Sequence, residues 1–225
     1  ENTGRTVRTA PAVLLRSRSK RVRYMKSPAF PSPDSLGISP FWRSQLADAT
    51  RTQEAIGVNV FISADMEGIC GVSSRVHWSA DGADYKRARE WMVQEVNAAI
   101  EGALQAGAKR IVVKDAHESA TNIELDRLHA MAELISGWGP LGSMVEGVNP
   151  DFDVVFLIGY HARATTVAGT LAHTWSHNVL DLRINGRSIG EAAWAAAFAG
   201  HFGVPVGLVA GDDKLAAQVL SLIHI

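Results

Sequence analysis

The chain holds a single cysteine, Cys70, in 225 residues. No internal disulfide can form, so the fold needs no oxidising compartment and a reducing cytoplasm is the expected location. Cys70 itself is expected to pack rather than to act as a nucleophile. No apolar run approaches the ~20 residues that span a bilayer, and no membrane partner is expected. Acids are scarce in one region only. Residues 1–57 carry Arg5, Arg8, Arg16, Arg18, Lys20, Arg21, Arg23 and Lys26 against very few carboxylates, although the formal net charge of the whole chain is -1. Such an arm could bind nucleic acid or serve as a transit peptide. It lacks interleaved aromatics and a clear amphipathic period, so no nucleic-acid partner is expected.

What is present is a globular composition, 47% hydrophobic and 20% charged. The Pro-rich stretch "SPAFPSPDSLGISP" reads as a linker. Residues 1–57 are therefore taken as a basic leader, unstructured or not native to the fold, and residues 58–220 as one α/β domain. "VNVFISA" is a compact apolar strand. "ADYKRAREWMVQEVNAAIEGALQAG" places Tyr85, Ala88, Met92, Val96, Ala99 and Ala103 three or four apart, an amphipathic helix that Gly107 closes. "KRIVVKDAHES" and "DVVFLIGYHAR" are further strands, and Ile123 to Ala132 is predicted as a short helix between them. "LDLRING" is a strand with an "NG" turn, followed by a helix from about Ile189, and "VPVGLVAGDD" is a last strand. Strands separated by helices predict a mostly parallel sheet flanked by helices, with ligands bound beyond the carboxyl ends of the strands.

Those ends carry the polar residues. In "NVFISADMEGICG", Asp65 and Glu67 are two apart, and on a strand that spacing puts both on one face. Two close anions repel unless a cation lies between them; the bland alternative is a pair of solvated loop acids. His117 in "KDAHES" and His161 in "IGYHARA" follow two other strands. Glu191 opens a helix, where it could simply favour the helix dipole. His173 and His177 are four apart in a Thr-rich stretch that does not read as a helix, so one is expected to reach the site and the other to be structural. Two imidazoles with two or three carboxylates suit Zn²⁺, Mn²⁺ or Co²⁺ better than Mg²⁺ or Ca²⁺. Five protein ligands exceed one open catalytic site but suit two ions bridged by Asp65 or Glu67. A water between two such ions yields a hydroxide nucleophile near neutral pH.

"SADMEGICG", "VKDAHES", "LISG…SMVEG", "LIGYHARATT…H", "INGRSIGE" and "VPVGLVAGDD" resemble, in order, the motifs of the zinc-dependent D-aminopeptidases, over residues 58 to about 218. The resemblance implies metallopeptidases that remove N-terminal D-residues, such as D-alanine, from short peptides. It also implies two zinc ions per subunit and a ring-stacked, decamer-like homo-oligomer that encloses its active sites. Asp65, Glu67, His117, His161 and Glu191 would bind the metals, and His173 would be the catalytic residue beside them. The segment from His161 to His173 is slightly longer than in the family, which leaves His177 as a weaker candidate. The chain stops at "SLIHI" where the family continues, so Ser221 to Ile225 are suspected of not being native. Two rival functions stand beside this one. A dinuclear phosphoesterase would need cations near the site, and Arg163 is the obvious one. A metal-stabilised homologue without activity would need only a closed four-ligand site.

Overall fold

The structure, a computed structural model, describes residues 13–14 and 57–223. The expected leader lies outside the described residues apart from Val13, Leu14 and Gly57, and so do the last two residues of the suspected tail. Strands β1 (Val13–Leu14), β2 (Val58–Ala64), β3 (Ala108–Asp115), β4 (Ala132–Ile135), β5 (Val154–Tyr160) and β8 (Val206–Gly211) form one sheet in the order β1-β8-β5-β2-β3-β4. The pairs among β8, β5, β2, β3 and β4 are all parallel, and β1 alone runs antiparallel, along β8. The expected parallel α/β sheet is therefore present.

The central strands carry continuous apolar runs, such as Ile111–Val113 and Val154–Ile158, because both faces are covered. Alternate residues divide between two cores. Val60, Ile62, Ile111 and Val113 meet Met92, Val96 and Ile100 of helix α2 (Tyr85–Gln105) on one side. On the other side, Phe61, Val112, Val155 and Leu157 pack with Ala195 and Ala199 of α3 (Glu191–His201) and with Leu215 and Val219 of α4 (Asp213–Ile223). Helix α2 has its predicted buried face, and Gly107 follows it at φ +93° as the stop. A short helix, α1 (Arg75–Trp78), precedes it. The predicted NG turn is a hairpin between β6 (Leu182–Ile184) and β7 (Arg187–Ile189), with Asn185 and Gly186 both at positive φ. Among the described residues, no helix is long and apolar enough to cross a membrane.

Two expectations fail. No helix covers Ile123 to Ala132, which runs through turns into β4. The N–H groups of Asn122 and Ile123 are captured by the Asp115 carboxylate at 2.5 and 2.7 Å, which commits the segment to a turn, and Leu125 is left 68% exposed. The link from β4 to β5 likewise holds only a 3-10 turn, Ser143–Val145. Cys70 is exposed rather than packed, its N–H donating to Glu95 at 2.7 Å.

Strand register brings the site together. Ala64, the last residue of β2, lies opposite Asp115 of β3 and Ile158 of β5. Chain direction diverges here, since β3 and β4 lie on one side of β2 while β5 and β8 lie on the other. Ligands settle at such a switch point in open α/β sheets. The turn after β2 presses against the end of β5, with Gly68 N donating to Gly159 O at 2.7 Å. A Cβ on Gly159 would stand 2.2 Å from the Asp65 carbonyl oxygen, at a φ of +72° that L side chains rarely adopt. Gly159→Ala is expected to cost ~3 kcal/mol through this contact and the backbone strain. It should also displace Asp65. Thermal unfolding together with zinc content checks this, and a variant of unchanged melting temperature would contradict it.

Candidate metal centre

Strand β2 ends at Ala64, so strand alternation does not unite Asp65 and Glu67; a tight turn does. Asp65 N donates to Ile158 O at 2.8 Å, and Ile69 N closes the turn on Met66 O at 3.1 Å. Both acids are buried, at 2% and 5% exposure, which removes the reading as solvated loop acids. His117 follows β3 in a turn built on Asp115. Its carboxylate also accepts from Asn122 Nδ2, which in turn holds the His117 carbonyl at 2.6 Å. His161 is the residue after β5. His173 lies in an irregular stretch where Leu171 and Trp175 adopt left-handed backbone. Glu191 is the first residue of α3 but is buried, and its Oε1 accepts from Trp175 N at 2.6 Å, so it is more than a helix-end charge.

These six side chains converge. His117 Nδ1 lies 2.9 Å from Glu67 Oε2 and 3.3 Å from Asp65 Oδ1. His161 Nε2 lies 3.5 Å from Asp65 Oδ2 and 3.4 Å from Glu191 Oε2. His173 Nε2 lies 3.9 Å from Glu67 Oε1 and 3.8 Å from Glu191 Oε1, its ring stacked on that of His161 at 4.0 Å. His177 stays apart from the acids, 5.4 Å from His173 between ring centres, and lines the pocket mouth. One histidine of that pair thus reaches the centre, as its sequence context suggested.

The donor set fits a metal. Each central imidazole has its other nitrogen at a backbone carbonyl: His117 Nε2 at Trp78 O (2.8 Å), His161 Nδ1 at Ala162 O (3.0 Å) and His173 Nδ1 at Leu171 O (2.8 Å). A carbonyl accepts only, so that nitrogen carries the hydrogen. In the neutral ring the inward nitrogen is then a lone pair facing carboxylate oxygens. Acceptors facing acceptors require a cation, and carbonyl-anchored histidines are the usual outer support of metal ligands. Asp65 Oδ2, Glu67 Oε2 and His161 Nε2 are buried without a hydrogen-bond partner, although Glu67 Oε2 lies within ion-pair distance of His117. Two overlapping ligand groups result, Asp65–Glu67–His161 and His161–His173–Glu191.

Without metal, protons take the place of the cation. Burial pushes the Asp65 carboxyl up to about 7, helped by the charge of Glu67. Burial also works against ionised Glu67, but contact with His117 and the charges of the three histidines outweigh it and hold Glu67 well below the usual range. Burial disfavours charge on His117, yet Asp65 and Glu67 raise it to about 11. His161 is likewise raised to about 10 against its own burial, chiefly by Glu191. His173 is lowered, by burial and by the charge of His161.

The pocket over these groups has a volume of about 570 Å³ and is walled by Trp78, Trp138, Trp175 and Trp194. Four of the chain's six tryptophans therefore face one cavity. Tryptophan spacing carries no periodic signal, and the sequence reading missed them. No lysine or arginine lines the cavity among the described residues. Arg163, the cation a phosphoesterase would need, turns its guanidinium to the Ala164 carbonyl at 3.3 Å.

Residues 58–224 match the family model described as D-aminopeptidase. The chain belongs to the D-aminopeptidase family. A D-aminopeptidase of Bacillus subtilis (strain 168) is 37% identical over 166 residues, 74% of this chain and 60% of that protein. The solved structure of the Zn-dependent D-aminopeptidase DppA from Bacillus subtilis, described as a self-compartmentalizing protease, superposes with a TM-score of 0.71 at 36% identity. The match covers 73% of this chain and 60% of that one, so this member spans about three fifths of the length of these relatives. All six converging residues fall inside the matched range.

The folded-state values of His117 and His161 lie above the ordinary 6.5. Their stabilising contribution to the metal-free protein is complete below about 6.5 and is lost as pH rises through about 10 and 11. At pH 7.5 zinc must then displace protons. Titrating chelator-stripped protein with zinc chloride in weakly buffered indicator dye should acidify the solution, with affinity rising from pH 6 to 9. Zinc uptake without acidification would mean that the histidines are neutral before the metal arrives.

Proposed function

We propose that this chain is a zinc-dependent aminopeptidase that releases N-terminal D-residues, such as D-alanine, from short peptides, and that it works as a homo-oligomer. The observation that carries this reading is the facing of buried acceptor atoms among Asp65, Glu67, His117, His161 and Glu191, in a member of the D-aminopeptidase family. Two zinc ions would be held there by these carboxylates and imidazoles. When bound, zinc would polarise the scissile carbonyl and lower the pKa of the attacking water.

The chain's own residues supply the rest. His173, pinned at Nδ1 by the Leu171 carbonyl, keeps Nε2 turned inward. Its lowered pKa favours the neutral ring near pH 7, ready to take a proton and hand it to the departing amine. The same Nε2 belongs to one of the two ligand groups, so the choice between proton carrier and ligand rests on substitution. Glu118, the lining acid outside the ligand set, would be left to meet the free α-ammonium that defines an exopeptidase substrate. The absence of a lining cation among the described residues speaks against phosphate esters. The three-carboxylate, three-imidazole set exceeds what a purely structural zinc requires.

The test combines metal analysis of the purified chain with hydrolysis of D-alanyl and L-alanyl peptides and of a generic phosphate ester. Zinc-dependent release of D-alanine alone is expected. Turnover of the phosphate ester, or zinc that raises only the melting temperature, would overturn the reading. His173→Ala should keep zinc and lose turnover by roughly 10²-fold or more, the usual scale of general acid–base catalysis. Loss of zinc in that variant would make His173 a ligand instead.

A further inference from the structure

Lys114 has a role that metal ligation does not use. It follows the apolar run Ile111–Val113 in β3, a central strand, with its side chain fully buried. A buried ammonium is costly unless its hydrogens are all satisfied. Here it donates to the carbonyl of Asp115 and, at 2.7 Å, to that of Gly137. Its remaining direction faces the ring of Trp138, whose centre is 4.7 Å from Nζ, within cation–π range. Lys114 thereby ties the turn that carries His117 to the loop that carries Trp138.

The same two segments are joined three more times. Gly137 N donates to Ala120 O at 2.6 Å, Ser136 Oγ to the same oxygen at 3.0 Å, and Trp138 Nε1 to Glu118 O at 2.8 Å. Trp138 is held at both its ring face and its indole nitrogen, yet it remains 48% exposed and lines the pocket. The pocket therefore holds an indole that is fixed in place and open on its pocket side, over the same cavity as the metal-binding side chains. Aromatic rings stack on such surfaces at a modest gain, and a ring fixed in advance loses no rotamer freedom when it binds.

We propose that Trp138 forms a subsite for an apolar or aromatic side chain of the substrate, and that Lys114 is the positioning residue that holds Trp138 in place. The subsite rests on the peptidase reading above. It makes the identity of the substrate's second residue matter. Lys114 touches no substrate; it acts through the indole stacked on it.

The experiment compares kcat/KM for D-alanyl-glycinamide and D-alanyl-phenylalaninamide on the zinc-loaded chain. The wild type should prefer the phenylalanine peptide by roughly ten-fold, the scale of one aromatic contact. Trp138→Ala and Lys114→Met should both bring that ratio toward one, acting mainly through KM, and Lys114→Arg should restore most of it. A wild-type ratio near one, or a ratio unchanged in Trp138→Ala, overturns the subsite. A ratio unchanged in folded Lys114→Met overturns the positioning role; should that variant misfold, the same ratio measured in Lys114→Gln, which removes the charge over the indole but keeps a donor, decides it. Should no D-peptide be cleaved at all, the peptidase reading fails separately. Quenching of the pocket tryptophans by N-acetyl-phenylalaninamide, set against N-acetyl-glycinamide, then decides the subsite. Tighter phenylalanine binding that Trp138→Ala abolishes sustains it, and equal binding sinks it.

Discussion

Three carboxylates buried within a few ångströms of one another are the constraint to which the rest of this molecule answers. Asp65, Glu67 and Glu191 cannot all ionise in an apolar interior without positive charge between them. The three imidazoles are placed to meet that need twice over, as proton carriers in the metal-free chain or as neutral donors beside a cation. Which of these states exists depends on what the inward nitrogens hold. The outward nitrogens are already fixed by the carbonyls of Trp78, Ala162 and Leu171.

Holding such a cluster demands a frame that does not yield. Parallel pairing aligns the ends of β2, β3 and β5, and glycine at 68 and 159 lets two backbones touch where any side chain would intrude. Asp115 spends its carboxylate on the turn that presents His117, accepting from Asn122 and Ile123. On the far side, the loop of His161 and His173 is fastened to α4. Gln218 accepts from Arg163 N at 3.0 Å and donates to Thr166 at 2.8 Å, while Asp212 accepts from Thr170 N at 2.8 Å. The site is thus built at strand ends and tightened by polar side chains that never enter it.

Much of this was legible in the sequence, for identifiable reasons. Continuous apolar runs mark central strands, a three-to-four spacing marks α2, and Asn185-Gly186 marks its hairpin. Polar residues that abruptly follow apolar strands marked Asp65, His117 and His161 as residues of one edge. The segment at 123–132 departs from its helix-like pattern because the Asp115 carboxylate, eight residues upstream of Ile123, captures the N–H groups of Asn122 and Ile123, a side-chain-to-backbone bond that hydrophobic periodicity does not register. Asp65 and Glu67 were paired by the wrong geometry, a strand face instead of a turn, although the convergence was right. The tryptophan walls were invisible because Trp78, Trp138, Trp175 and Trp194 come from four unrelated loops and helix ends.

Those walls bear on what the site can select. Two divalent ions would slightly outweigh the three buried carboxylates, and Glu118 at the rim returns the cavity toward neutrality. With the proposed ions bound, so near-neutral a pocket would exert little long-range pull, and charge would act on a peptide only at short range, through Glu118. In the proposed peptidase, discrimination would then fall to shape and to apolar contact with the four indoles. Trp175 shows how closely the two tasks are joined. Its N–H orients Glu191 at the centre, while its ring meets Trp194 edge-on at 5.8 Å in the wall. In the proposed peptidase, a substrate that pressed on that wall would press, through Trp175, on the Glu191 carboxylate.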